Sequence, residues 1–155
     1  MAHLCDTSLP QQTRDYLYDH NLALHGCFVV GEPAIITTNI NPLLGLANGT
    51  KVEMKSICLH ADEDTDRIQY LLTKENPETD VVLDHPPLYI GVRVINPTDL
   101  LKAQPGANLT SGPDVVIPIY AEMSVEIKVM YRVQIPLKTL PHGLELAFSM
   151  TAHKV

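Results

Sequence analysis

Apolar and polar residues alternate most regularly between residues 125 and 135. Six apolar positions, from Val125 to Ile135, are separated by the mostly polar residues between them. A period of two is typical of a strand that buries one face and exposes the other. The pattern therefore predicts one long strand over residues 125–135.

Shorter runs of apolar and β-branched residues predict further strands, at 27–30, 33–40, 51–59, 80–83, 88–95 and 114–119. Asn48-Gly49 favours a turn with positive φ, so the strands on either side of it are expected to pair. Within 51–59 the alternation predicts that Val52, Met54 and Cys58 share one face. The lysines and the glutamate between them are expected on the other.

Helix and loop signals are fewer. Ser8 and Pro10 are typical of a helix start, and the apolar positions that follow predict a helix to about His20. Residues 60–79 are predicted to be an acidic loop with one helical turn, and residues 96–113 a long loop. Residues 144–155 are apolar, and the pattern leaves helix and strand open. The chain is thus predicted to be mainly β, with a small antiparallel domain of SH3-like barrel type.

Charge narrows the classes of function. The 155 residues carry a net charge of −7, and six of these charges lie between residues 60 and 85. Such a balance disfavours a free-standing domain that coats nucleic acid electrostatically. Three widely spaced cysteines favour neither disulfides nor zinc, and no metal site is predicted. The first residues do not match a signal peptide, and no run is long enough to span a membrane, so we expect a soluble intracellular protein.

Two blocks of sequence carry a resemblance to a known family. The first is residues 28–50, FVVGEPAIITTNINPLLGLANGT, and the second is residues 144–155, LELAFSMTAHKV. Both resemble passages of the PIF-like and RecD-like superfamily-one DNA helicases, in particular the branch encoded by Helitron transposons. The residues that match are Gly31, Pro33, Asn39, Gly45, Asn48, Gly49, Thr50, Ala147, Phe148, Thr151, His153 and Lys154.

The resemblance implies a fold and a division of the chain. Residues 1–40 would comprise the N-terminal helix and part of a RecA-like α/β domain, and residues 41–142 an inserted SH3-like barrel. Residues 143–155 would be a truncated return into the incomplete RecA-like domain. The implied function is that of a C-terminal fragment of a nuclear, ATP-dependent DNA helicase with 5′-to-3′ polarity. Its partners would be single-stranded DNA and the remaining RecA-like domains.

Candidate DNA contacts come from two sources. The resemblance implies that Thr151, His153 and Lys154 couple single-stranded DNA to the nucleotide site. The strand pattern adds basic residues that could line a groove, and tyrosines that could stack on bases. The basic residues are Lys51, Lys55, Arg93, Lys128 and Arg132, and the tyrosines are Tyr89, Tyr120 and Tyr131. An ordinary polar strand face is an equally weighted interpretation of the basic residues.

Motifs for nucleotide chemistry are missing from the sequence. It contains neither a G-x-x-x-x-G-K-[ST] loop nor an acidic pair after an apolar strand, whereas the parent family uses ATP and Mg²⁺. We therefore predict that this chain alone binds no cofactor, has no catalytic residue and hydrolyses no ATP. Two alternatives stay open: a protein-interaction module that uses the acidic segment 60–85, and an inactive transposon remnant.

Overall fold

The structure is a computed structural model that describes residues 9–20, 26–73, 80–105, 113–121, 125–131, 133–139 and 142–147. Within these ranges the chain is mainly β, as predicted, with a few short helices. None of the helices in these ranges is long and apolar enough to cross a membrane. In chain order the elements are α1 (Gln11–His20), β1 (Pro33–Ile36), a 3-10 turn (Pro42–Leu44), β2 (Lys51–Cys58), α2 (Thr65–Thr73), β3 (Tyr89–Val94), α3 (Asp99–Lys102), β4 (Val116–Tyr120), β5 (Val125–Tyr131), β6 (Val133–Thr139) and β7 (Leu144–Leu146).

Five strands form one antiparallel sheet in the order β4-β3-β2-β1-β7. One face of this sheet carries most of the hydrophobic core, because alternate residues of each strand are apolar and buried. The central members of this core are Ala34, Ile36, Val52, Met54, Ile90, Val92, Val94, Ile117, Ile119 and Leu146. The sheet is open, since the described strands form no ladder between β4 and β7.

The first family-like block builds the connection between β1 and β2. Gly45 ends the 3-10 turn with a φ of 81°, and the Thr50 hydroxyl donates to the Gly45 carbonyl at 2.9 Å. Gly49, at a φ of 93°, donates its N–H to the Ile36 carbonyl at 2.8 Å. The Asn39 side-chain oxygen accepts from the Asn48 N–H at 3.0 Å. These residues therefore have structural roles, and β1 and β2 pair as predicted.

The predicted strand over 125–135 is wrong. Val125–Tyr131 and Val133–Thr139 are separate strands that pair with each other in antiparallel register, so the chain reverses direction between them. Both strands keep the alternation of apolar and polar residues, so the period of two does not reveal the reversal. This hairpin forms a second, two-stranded sheet.

The strands predicted at 27–30 and 80–83 are also wrong. The N–H of Glu32 bonds to the Val29 carbonyl at 3.2 Å, so the chain turns there. The Val82 carbonyl accepts from the Arg67 guanidinium at 3.2 Å. That carbonyl is bonded to a side chain, and the apolar run around it joins no sheet.

The two predicted loops contain helices, and one residue of β2 lies on the other face. The acidic loop 60–79 includes α2, a full helix where only a turn was predicted, and the loop 96–113 includes α3.

In β2 the register shifts between Met54 and Ser56, so Lys55 is an extra residue in a β-bulge. The bulge moves Ile57 to the face of Met54 and turns Cys58 away from it. Val52 and Met54 share one face as predicted, but the prediction that Cys58 lies on that face is wrong.

Candidate nucleic-acid interface

Pairing of β1 with β7 brings the two family-like blocks side by side. Ala34 lies opposite Leu146, and Ile36 lies opposite Leu144, 108 residues further along the chain. The Thr37 N–H extends the pairing by donating to the Gly143 carbonyl at 2.8 Å. The part of residues 144–155 that the structure describes is thus a strand at its start, which decides between the two open alternatives.

A charged cluster occupies the outward face of β2 and β3, opposite the core. Glu53 lies directly across from Arg93, whose Nε is 3.0 Å from the Glu53 carboxylate, and Lys55 bonds to the other carboxylate oxygen. The hydrogen bond from Lys55, followed by the one from Arg93, holds the pKa of Glu53 below its usual range. The same carboxylate raises the pKa of Arg93. Two bases therefore share one acid.

Lys51 completes the basic side of this face. It lies two residues before Glu53 on the same outward side and is exposed. No ion pair involves Lys51 among the residues that the structure describes. Asp114 lies 3.8 Å from Arg93 and adds a second acid at the margin. On β2, β3 and the residues before β4, bases outnumber acids by three to two, and a third acid, Glu145, lies on the same face of β7, separated from Lys51 by Ile35.

Two tyrosines meet on the same outward face. The N–H of Val94 bonds to the Val115 carbonyl at 3.0 Å, and counting along the ladder from this bond makes Tyr89 and Tyr120 a non-hydrogen-bonded pair. Side chains approach most closely at such pairs, and these two rings lie 5.6 Å apart at 60°. Tyr120 keeps 61% of its surface exposed. A hydrogen bond with Cys58 is the main cause that raises the pKa of Tyr89.

A cleft of about 300 Å³ lies beside Tyr120. It opens between the end of β4, the segment after β1 and the residue before β7, where the two edges of the sheet approach each other. His142, which is buried here, contacts the Pro87 carbonyl through Nε2 at 3.0 Å. The cleft is lined by Asn39, Ile40, Pro118, Ile119, Tyr120, Ala121 and His142.

The acidic segment is organised around a buried carboxylate. The side chain of Glu63 is fully buried and accepts the backbone N–H groups of Asp84 at 2.9 Å and His85 at 2.8 Å. It also accepts from Arg67, four residues later, at 3.3 Å. Burial alone would raise the pKa of Glu63, but the hydrogen bonds from Asp84 and His85 outweigh it and lower the pKa. Glu63 therefore ties residues 84–85 to the start of α2.

Two histidines border the same segment. The rings of His60 and His85 stack at 5.1 Å with 18° between their planes. A stack directs the ring faces at each other, whereas a metal would need ring nitrogens converging on one point. Across the described ranges, no group of three histidine, cysteine or acidic side chains could hold a metal ion.

Only part of the predicted site lies within the described residues. Lys51 and Lys55 are on one sheet face, as predicted, with Lys55 bonded to Glu53. Arg132, Thr151, His153 and Lys154 lie outside the described residues, as does the side chain of Tyr131. Sequence reasoning did not identify the buried Glu63, although its spacing of four residues from Arg67 on a helix start was a usable signal. It also did not identify the cleft, which depends on the curvature of the sheet.

No protein-family model, curated protein or solved structure gives a significant match to this chain.

Proposed function

We propose that this chain is a DNA-contacting C-terminal portion of a PIF-like, RecD-related helicase. In this role it holds single-stranded DNA while RecA-like domains outside the chain supply ATP and Mg²⁺. Strands β2, β3 and β4 would belong to an SH3-like barrel, and β1 and β7 to the RecA-like domain into which this barrel is inserted. The proposed nucleic-acid contacts are Lys51, Lys55 and Arg132, together with Thr151, His153 and Lys154.

The observation that carries this proposal is the pairing of β1 with β7. The resemblance requires residues 28–40 and the start of residues 144–155 to be neighbours, because it treats them as consecutive visits to one motor domain. Nothing in the composition or periodicity of the chain requires it. Ile36 and Leu144 are direct partners in the sheet, which supports the proposal. The cluster of Lys51, Lys55 and Arg93 supplies cations of the kind that bind phosphate.

Binding of single-stranded DNA by the purified 155-residue chain tests this function. We expect weak binding of a labelled oligonucleotide at about 50 mM salt, which falls steeply as salt rises because counterions are released. We also expect no ATP turnover by the chain alone, because its sequence lacks the P-loop that positions phosphates. Absence of DNA binding at low salt would contradict the proposal. An ATPase activity that co-purifies with the chain through several columns would contradict the proposal that ATP is bound by domains outside this chain.

A second candidate is a protein-interaction module that uses the acidic segment. The observation that favours it is the bonding of Glu63, which fixes a segment where Asp62, Asp64 and Asp66 are exposed. This module would bind a basic peptide in a salt-dependent manner and would not bind DNA. Titration of the chain with a lysine-rich peptide and with single-stranded DNA under the same conditions separates the two functions. A third alternative, an inactive remnant, predicts that urea unfolding of the chain is not cooperative.

A further inference from the structure

We infer that Tyr120, supported by Tyr89, is a stacking platform for one unpaired base of single-stranded DNA, which enters the cleft between Tyr120 and Ile40. This inference rests on the proposed function and adds to it a site for a base, where the cation cluster accounts only for phosphate.

The position of Tyr120 separates it from a tyrosine that serves the core. The preceding residue, Ile119, is buried on the core face, while Tyr120 lies on the opposite face and stays 61% exposed. The ring of Tyr89 lies 5.6 Å away and limits its movement. A ring held in place and open to solvent loses little side-chain entropy when a flat ligand stacks on it.

The cleft matches the chemistry of a nucleobase. Ile40, Pro118 and Ala121 supply apolar walls, which suit the faces of a base, and the exposed Asn39 supplies an amide at the rim, which suits its polar edge. The Asn39 oxygen is bonded to the Asn48 N–H, so the orientation of this amide is fixed. A volume of about 300 Å³ is at the lower end of small-ligand sites. A cleft of this size can hold one base more readily than a larger ligand.

Charge on the same sheet face selects an anionic ligand. Arg93 lies on β3 four residues beyond Tyr89, which is about 13 Å along the strand. Lys51 and Lys55 lie on the neighbouring strand, and Glu53 and Asp114 are the acids beside them. A DNA strand that places one base against Tyr120 could therefore bring its phosphates toward these cations. Aromatic side chains next to basic groups are the usual composition of single-strand binding surfaces.

Fluorescence anisotropy with a labelled oligo-dT of about 15 nucleotides tests the inference. We expect Tyr120→Leu, which keeps apolar bulk but removes the aromatic face, to weaken binding about tenfold, as loss of one stacked base does. Tyr120→Phe should bind as the wild type does. The matched control is Tyr70→Leu, because Tyr70 on α2 is also 61% exposed and lies in the acidic segment, away from the cleft. This control should leave the affinity unchanged.

A second ligand shows whether the lost affinity belongs to a base. An oligonucleotide of the same length with abasic sites keeps the phosphates and removes the rings. The wild type should bind it about tenfold more weakly than oligo-dT, and Tyr120→Leu should bind both ligands equally.

Equal affinity of wild type and Tyr120→Leu for oligo-dT would overturn the inference and leave the proposed function standing. An equal loss in Tyr70→Leu would overturn it as well. Failure of the wild type to bind any single strand would remove the proposed function and this inference together. Circular dichroism and thermal melting of each variant check that the fold is retained.

Discussion

Replacement of Glu63 by glutamine perturbs the acidic segment at a single buried group. The glutamine has the same shape as glutamate but one acceptor oxygen, where the carboxylate has two. In the native protein each carboxylate oxygen accepts a backbone N–H, from Asp84 and from His85. After the substitution one of these N–H groups faces the NH₂ of the amide and is left without an acceptor.

The expected cost follows from these two bonds. An N–H without an acceptor costs about 1–3 kcal/mol when it is buried, and about 1 kcal/mol applies here because the bonds from Asp84 and His85 are only partly buried. The remaining bond weakens by about 1 kcal/mol once its acceptor is neutral. We therefore expect Glu63→Gln to reduce the free energy of unfolding by about 2 kcal/mol. That is a large share of the roughly 5–15 kcal/mol that a domain of this kind has.

Urea unfolding followed by far-ultraviolet circular dichroism measures this change, since the chain has no tryptophan. The control is Asp62→Asn, which removes the same charge from the neighbouring residue. Asp62 is 78% exposed and lies 3.6 Å from His60, so its loss should change stability by less than about 0.5 kcal/mol. Equal stability of the two variants would refute the role assigned to Glu63. Faster amide exchange at Asp84 and His85 in Glu63→Gln would locate the effect.

The pKa of Glu63 makes the same bonds sensitive to acid. Because this pKa is lower in the folded protein than in the unfolded chain, the ionised carboxylate stabilises the fold. Its contribution is complete above about pH 5.5, where an unfolded glutamate is already ionised. It is lost as the pH falls through the ordinary range of glutamate toward the lowered pKa. The difference in stability between the wild type and Glu63→Gln should therefore shrink on acidification, and a constant difference from pH 7 to pH 3 would refute it.

Three further experiments probe other parts of the structure. Gly143→Ala should lower the free energy of unfolding by about 3 kcal/mol, because φ is 63° and the new Cβ would lie 2.6 Å from the Thr38 hydroxyl. Gly31→Ala is the control: its φ is 83°, but the space around it is open, so the loss should be about 1 kcal/mol. Equal losses of stability in the two variants would contradict the close packing before β7. Thr98→Val should lower the free energy of unfolding in urea by about 1–2 kcal/mol, because the Thr98 hydroxyl caps α3 and donates to the Leu44 carbonyl. A loss below about 0.5 kcal/mol would refute that role. Lys51→Ala should weaken DNA binding and reduce the magnitude of its salt slope by about 0.7; an unchanged slope would exclude a phosphate contact.

The sequence was a good guide where local pattern and tertiary environment agree. β3 and β4 are rich in β-branched residues, and the first residues of β2 alternate between an outward and a buried face, so the approximate positions of these three strands were predicted. The positive φ of Gly49 followed from the turn dipeptide Asn48-Gly49. Helix α1 likewise follows from the signals at Pro10.

The failures arose where the outcome depends on neighbours in space. A strand and a hairpin of two strands carry the same alternation, so residues 125–135 were predicted as one strand. Residues 80–83 have strand composition, but they pair with none of the described strands, and the Val82 carbonyl bonds to Arg67. The bulge at Lys55 depends on the register of β2 against β3. Because this register is not encoded in the local pattern, the face on which Cys58 lies could not be predicted from the sequence.

The candidate site was predictable in its residue types and not in its geometry. Lys51 and Lys55 could be placed on one polar face from alternation alone. That Glu53 lies across from Arg93, and that Tyr89 meets Tyr120, requires the pairing of three strands. The cleft requires in addition that the two edges of the sheet approach each other, which no local pattern encodes.

Titration of the ¹⁵N-labelled chain with single-stranded oligo-dT, followed by amide chemical shifts, tests the central claim most directly. The account predicts shifts that change along the outward face, at Lys51, Tyr89 and Tyr120, and around Ile40 at the cleft. Residues 62–66 should stay unchanged because their acidity repels phosphate. Shifts confined to that acidic segment, or no shifts at low salt, would contradict the account.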